Sequence, residues 1–160
     1  MKKVATLRIF ADHYQFWVYD GDKNPFEPLL DYTDESVARG WTRSDHALSF
    51  STRAHLNDHR LDVFLCDGPP KIAGCDRATV HPLRIPSRLA IHDTDEAISI
   101  DLPKNEYSMV LAAYNLGKEP SFQEERLDDS KFLERLEWER YELYVCPSIG
   151  VRDGPYKNDS

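Results

Sequence analysis

Short runs of alternating apolar and polar residues recur throughout this chain of 160 residues. Alternation with a period of two places successive side chains on opposite faces of a β-strand. We predict strands at Val4–Phe10, His13–Tyr19, Ala47–Thr52, Leu61–Cys66, Ala78–Ile85, Leu89–His92, Ala97–Leu102, Tyr107–Tyr114 and from Glu139 onward. The pattern predicts an all-β fold, an antiparallel two-sheet β-sandwich with one or two short helices, and a closed barrel is the alternative.

One short helix is predicted between the second and third of these strands. Thr33 can cap it through its hydroxyl, and Asp34 and Glu35 fall in its first turn, where the helix dipole favours negative charge. Gly40 can end it in a left-handed conformation. The helix is therefore expected to be about two turns long.

The length of the chain is that of one domain with a single core. We predict one β-sandwich domain over residues 1–149. Residues 150–160 are polar and are predicted to form a flexible tail.

The chain is acidic, with a formal charge of −8 and an isoelectric point near 5.2. Nucleic-acid binding requires clustered Lys and Arg, so we expect no direct nucleic-acid binding, and a basic protein is the more suitable partner. The strongest local excess lies between Glu119 and Glu142, where nine acidic residues accompany four basic ones. A second short helix is predicted in this region, after Asp129 or Ser130.

Three cysteines, at positions 66, 75 and 146, form no CxxC pair and leave an odd thiol. This arrangement predicts neither a disulfide framework nor a zinc knuckle, and it fits a reducing compartment. No stretch approaches the ~20 apolar residues of a membrane span. We therefore expect a cytoplasmic protein without membrane insertion.

Candidate catalytic and metal-binding patterns are incomplete. The stretch Asp20–Asn24 resembles the start of a calcium loop, but Pro25 stands where that loop needs glycine. His55 and His59 have the spacing of two zinc ligands but would need two more. Adjacent Asp45 and His46 would point to opposite faces of a strand, which does not suit a catalytic triad. We expect a protein that is not an enzyme, with no catalytic residues, no metal and no cofactor.

A set of short motifs, in order along the chain, resembles the competence protein J family, whose members are bacterial inhibitors of a DNA-entry nuclease. The motifs are His13-Tyr14-Gln15-Phe16 followed by Val18, Asp31-Tyr32-Thr33-Asp34-Glu35, Gly40-Trp41, Ser44-Asp45 with Ala47, Ser49 and Phe50, and Asp101-Leu102-Pro103-Lys104 before Tyr107. The resemblance runs from about Asp12 to Tyr114. It implies a non-enzymatic protein that binds a nuclease and suppresses its activity. We expect the two proteins to form a hetero-oligomer.

The residues around the first helix suit this role, because an acidic surface can occupy the basic DNA groove of a nuclease. The candidate partner-binding residues are Asp31, Asp34, Glu35, Trp41 and Asp45. The alternative function is a small-ligand or carbohydrate-binding β-sandwich module that uses the aromatic face of Tyr14–Tyr19. A concave pocket lined by those rings would favour the alternative, and a flat acidic surface would favour the inhibitor.

Overall fold

A computed structural model describes residues 1–11, 14–54, 58–93 and 96–157. The strands are β1 Lys2–Phe10, β2 Gln15–Asp20, β3 Trp41–Arg43, β4 Ala47–Ser51, β5 Asp58–Leu65, β6 Arg77–Ile85, β7 Arg88–His92, β8 Ala97–Asp101, β9 Asn105–Tyr114, β10 Arg140–Pro147 and β11 Gly154–Pro155. The helices are α1 Asp34–Arg39 and α2 Asp129–Leu133, and a 3₁₀ turn lies at Glu124–Arg126. The predicted all-β class with two short helices is confirmed.

The strands form a six-stranded sheet, in the order β1-β5-β10-β9-β6-β11, and a five-stranded sheet, in the order β3-β4-β2-β7-β8. Neighbouring strands are antiparallel, as predicted, except that β10 pairs with β5 in parallel. Strands β5 and β10 lie far apart in sequence, and their relative direction is fixed by the path of the chain between them rather than by local pattern.

The core lies between the two sheets and takes apolar side chains from both. Phe16 of β2 is fully buried, and its ring centroid lies 5.5 Å from that of Phe50 on β4 and 5.3 Å from that of Tyr141 on β10. Leu48, Val63 and other aliphatic residues fill the space around these rings. Burying one such side chain stabilises the fold by about 1.5–3 kcal/mol, so this contact between sheets fixes which face of β2 points inward.

The outer face of the five-stranded sheet is only partly covered. Tyr19, Ala47 and Ala90 form a small buried cluster there, with Trp17 packed against it. The chain between β2 and α1 crosses this face, and Phe26 places its ring 5.3 Å from that of Trp17. Beyond these contacts the face reaches solvent, which is where the candidate site lies.

Three local features differ from the predicted pattern. Strand β2 begins at Gln15 rather than earlier, because Tyr14 has a φ of 62° and cannot continue an extended strand, while His13 lies outside the described residues. Strand β3 was not predicted. Within the predicted tail, Gly154–Pro155 pairs with β6 as β11, and Asp153 forms an ion pair with Arg43 at 2.9 Å.

Helix α1 has the predicted termini. The Thr33 hydroxyl accepts from the Ser36 amide at 3.1 Å, and the Ser36 hydroxyl accepts from the Thr33 amide at 2.9 Å, which completes a capping box. Gly40 ends the helix with a φ of 95° and donates its amide to the Ser36 carbonyl. A helix of six residues is too short to be stable alone, so these caps and its packing on β3 hold it.

Candidate functional site

The first part of the site is a group of exposed carboxylates at the start of α1. Asp34 and Glu35 lie in its first turn and Asp31 lies just before its cap, and all three are exposed. The backbone here is held to the sheet, because Thr42 on β3 donates its hydroxyl to the Asp31 carbonyl at 3.2 Å. Within the described residues, none of the three carboxylates has an ion-pair or hydrogen-bond partner. Their charge is therefore available to a partner.

Trp41 and Asp45 do not join this group. The Trp41 ring is half-buried against the core, its centroid lies 4.7 Å from that of His81, and the Arg39 guanidinium covers it at 3.8 Å. Asp45 is exposed at the opposite end of the β3–β4 hairpin, near His46. The sequence-predicted residues thus divide into a carboxylate group of Asp31, Asp34 and Glu35, a packed tryptophan and a separate aspartate.

Most carboxylates of the acidic segment from Glu119 to Glu142 are engaged within the protein. Asp128 caps α2 by accepting from the Lys131 amide at 3.0 Å. The ion pairs are Glu124 and Glu137 with Arg135, Asp129 with Arg8, and Glu142 with Arg140. Glu139 is buried. At least six of the nine carboxylates of this segment therefore have partners within the protein, whereas those of Asp31, Asp34 and Glu35 have none within the described residues, so the carboxylate group on α1 is the stronger candidate for binding.

An apolar groove adjoins the carboxylate group. It has a volume of about 360 Å³ and is lined by Tyr14, Gln15, Tyr32, Val37, Ser51, Thr52 and Arg53. The exposed fraction of Val37 is 52% and that of Tyr32 is 42%, which is high for large apolar side chains. The Tyr32 hydroxyl donates to Ser49 Oγ at 3.0 Å, so its ring is fixed in place.

A second depression of about 140 Å³ extends the apolar surface. It shares Gln15 and Tyr32 with the apolar groove and is otherwise lined by Trp17, Pro25, Phe26, Leu29 and Leu30. The exposed fraction of Leu29 is 89%. Contiguous exposed apolar surface of this kind marks interaction sites in soluble proteins.

A buried carboxylate supports one wall of the apolar groove. Glu139 accepts hydrogen bonds from the backbone amides of Arg53 at 3.0 Å, Ala54 at 3.0 Å and Gly117 at 2.8 Å, and from the Tyr141 hydroxyl at 2.7 Å. Charge-assisted hydrogen bonds of this kind are stronger than neutral ones. Glu139 therefore fixes the segment after β4, which places Arg53 at the groove.

The histidines do not assemble a metal or catalytic centre. His59 is buried, its Nδ1 lies 3.2 Å from the Glu139 carbonyl, and desolvation lowers its pKa. His46 contacts the Asn24 carbonyl through Nε2 at 2.8 Å, and His55 lies outside the described residues. Within the ranges that the structure describes, no three His, Cys, Asp or Glu side chains are grouped to hold a metal ion. In the same ranges, no helix is long and apolar enough to cross a membrane.

The relationship to known proteins agrees with this architecture. The profile of the family described as Competence protein J (ComJ) matches residues 8–143. The chain belongs to the competence protein J family. One relative is the DNA-entry nuclease inhibitor of Bacillus subtilis (strain 168). It is 27% identical to this chain over 112 residues, which cover 68% of this chain and 81% of the relative.

Two solved structures share the fold of this family member. The crystal structure of ComJ from Bacillus subtilis, described as an inhibitor of the DNA degrading activity of NucA, has a TM-score of 0.69 at 19% identity and covers 92% of this chain and 98% of its own. The protein described as Crocagin biosynthetic gene J has a TM-score of 0.55 at 14% identity and covers 90% of this chain and 98% of its own. Both likenesses extend over nearly the whole described fold.

Segments that carry the competence protein J resemblance meet at the apolar groove. Tyr14, Gln15 and Tyr32 line it, and Ser49 holds Tyr32. These segments could be identified from the sequence, whereas the groove that they form could not. The available signal was Val37, a branched aliphatic residue that follows Asp34, Glu35 and Ser36 on a short helix.

Proposed function

We propose that this protein inhibits a nuclease by binding it, without catalysing a reaction itself. The observation that carries the proposal is its relationship to the DNA-entry nuclease inhibitor of Bacillus subtilis, together with membership of the same family. The acidic character of the chain supports it, because the DNA-binding groove of a nuclease is basic. The partner is then a basic protein, and the two proteins form a hetero-oligomeric complex. The inhibitor makes no direct contact with DNA.

The carboxylate group of Asp31, Asp34 and Glu35 is the surface that we assign to the nuclease. Exposed carboxylates without internal partners can take the positions that DNA phosphates occupy in a basic groove. A net charge of −8 also steers the inhibitor toward a basic partner and raises the association rate at low salt. Asp45, at the other end of the hairpin, belongs to this surface only if the nuclease extends along β3.

The test is a titration of DNA degradation by a purified nuclease of the NucA type from the same host, with Bacillus subtilis NucA as a second enzyme. Increasing amounts of the inhibitor should stop plasmid degradation at a stoichiometric ratio, and a stable complex should elute from a sizing column. Full degradation by both enzymes in the presence of excess protein would refute the proposal.

The small-ligand or carbohydrate-binding alternative finds one supporting observation in the concave, tyrosine-lined groove. Of the aromatic residues between Tyr14 and Tyr19, Tyr14 lines that groove and Trp17 lines the adjoining depression, while Phe16 is buried in the core. The two functions separate in the same assay, because a ligand-binding module would leave nuclease activity unchanged.

A further inference from the structure

The apolar groove and the carboxylate group form one composite surface. Val37 lines the groove from α1, the helix whose first turn carries Asp34 and Glu35. Tyr32 lines the groove from the chain immediately before the helix and lies next to Asp31. An exposed apolar centre with a charged border is the arrangement that protein interfaces use for an anchoring side chain.

We infer that the apolar groove seats a large apolar side chain of the nuclease, and that a neighbouring Lys or Arg of the nuclease pairs with the carboxylate group. This inference rests on the proposed function and names the contact that gives the complex its affinity. The carboxylates would steer and orient the nuclease, while the groove would hold it, because buried apolar anchors contribute more binding energy than exposed ion pairs.

Charge complementarity favours a basic partner over a second copy of this chain. Two copies packed groove to groove would bring Asp31, Asp34 and Glu35 of each copy close to the same carboxylates of the other, and like charges in contact oppose association. A basic protein meets no such repulsion. Arg53, which also lines the groove and is exposed, can donate to a backbone carbonyl of the seated segment.

The groove is formed before the partner arrives. The Tyr32 hydroxyl is bonded to Ser49, the amides of Arg53 and Ala54 are bonded to buried Glu139, and α1 is capped at both ends. A preformed pocket loses little conformational entropy on binding, so the buried area converts into affinity more fully.

The test fills the groove and leaves the charges in place. Val37→Trp places an indole in the groove, and the native exposure of Val37 means that the fold can accept it. Val151→Trp is the matched control, because Val151 is also exposed, at 41%, and lies outside the groove. Dissociation constants for the purified nuclease are measured by calorimetry at several salt concentrations.

Val37→Trp should weaken binding by about thirtyfold or more, as expected for a blocked anchor pocket, with an unchanged salt slope. Val151→Trp should bind as the wild type does. Should Val37→Trp fail to fold, Val37→Thr keeps the shape, replaces one methyl group of the apolar contact with a hydroxyl and should weaken binding about threefold to tenfold.

Several outcomes would overturn the inference alone. In the first, the wild type binds the nuclease and Val37→Trp binds it within threefold of the wild-type affinity. In the second, the wild type forms a dimer in sedimentation that Val37→Trp abolishes without loss of nuclease affinity. In the third, native mass spectrometry shows a small molecule retained by the wild type, and its removal leaves the nuclease affinity unchanged. Failure of the wild type to bind any nuclease would instead overturn the proposed function.

Discussion

Replacing Glu139 with glutamine should destabilise the fold by about 3 kcal/mol. The carboxylate is inaccessible to solvent and accepts from three backbone amides and from the Tyr141 hydroxyl. Each hydrogen bond to a buried charged group contributes about 1.5–3 kcal/mol, against about 1 kcal/mol for a neutral one. Glutamine also turns an NH₂ group toward the Arg53 amide, which can no longer donate to that position.

Urea unfolding followed by circular dichroism measures this effect. With an m-value of about 2 kcal/mol/M, the midpoint should fall by about 1.5 M with an unchanged slope. Tyr141→Phe removes one hydrogen bond to this charged group and should cost about 1.5–3 kcal/mol. The matched control is Glu134→Gln, the same change at an exposed position in the same segment, which should stay within about 0.5 kcal/mol of the wild type. A Glu139→Gln midpoint equal to that of the control would refute the assigned role of Glu139.

Three further predictions concern the helix and a buried histidine. Gly40→Ala should cost about 2 kcal/mol in thermal unfolding, because Gly40 has a φ of 95° and a Cβ there would lie 2.3 Å from the Arg77 guanidinium carbon; an unchanged Tm would contradict this. Thr33→Ala removes half of the capping box and should speed hydrogen exchange of the α1 amides, while Thr52→Ala, outside the helix, should not. Burial lowers the pKa of His59, so its contribution to stability is complete above about pH 6.5 and is lost as the pH falls toward the folded-state pKa. His59→Gln should therefore lose less stability than the wild type between about pH 6.5 and pH 5. An identical loss in the two proteins would contradict the role of buried His59.

The fold could be predicted from local sequence wherever one segment decides its own structure. Alternation predicted the main strands, and the spacing of Thr33 and Gly40 predicted α1 with both caps. Strand β3 escaped prediction because three residues are too few to show a period of two. Strand β11 escaped because a Gly-Pro pair carries no strand signal. The parallel pairing of β10 with β5 depends on the path of the chain between them.

The same distinction between local and long-range contacts applies to the candidate site. The carboxylate group could be predicted because its members lie within one turn of each other around the start of α1. The apolar groove could not, because Tyr14, Tyr32, Val37 and Arg53 come from separate segments that only the folded sheet brings together. The acidic segment carries the larger local charge, but most of its carboxylates are held by partners such as Arg135 and Arg8, which the sequence alone does not pair with them.

Whether the nuclease binds the carboxylate group on α1 can be decided from the salt dependence of inhibition by a charge-neutralised variant. The variant carries Asp31→Asn, Asp34→Asn and Glu35→Gln, and its matched control carries Asp67→Asn, Glu125→Gln and Glu134→Gln, which change the net charge equally. We expect the first variant to inhibit at least about tenfold more weakly at low salt and to lose much of the salt dependence. The control should keep the inhibition and the salt dependence of the wild type. Equal inhibition by the two variants across all salt concentrations would contradict the assignment of the nuclease to the carboxylate group on α1.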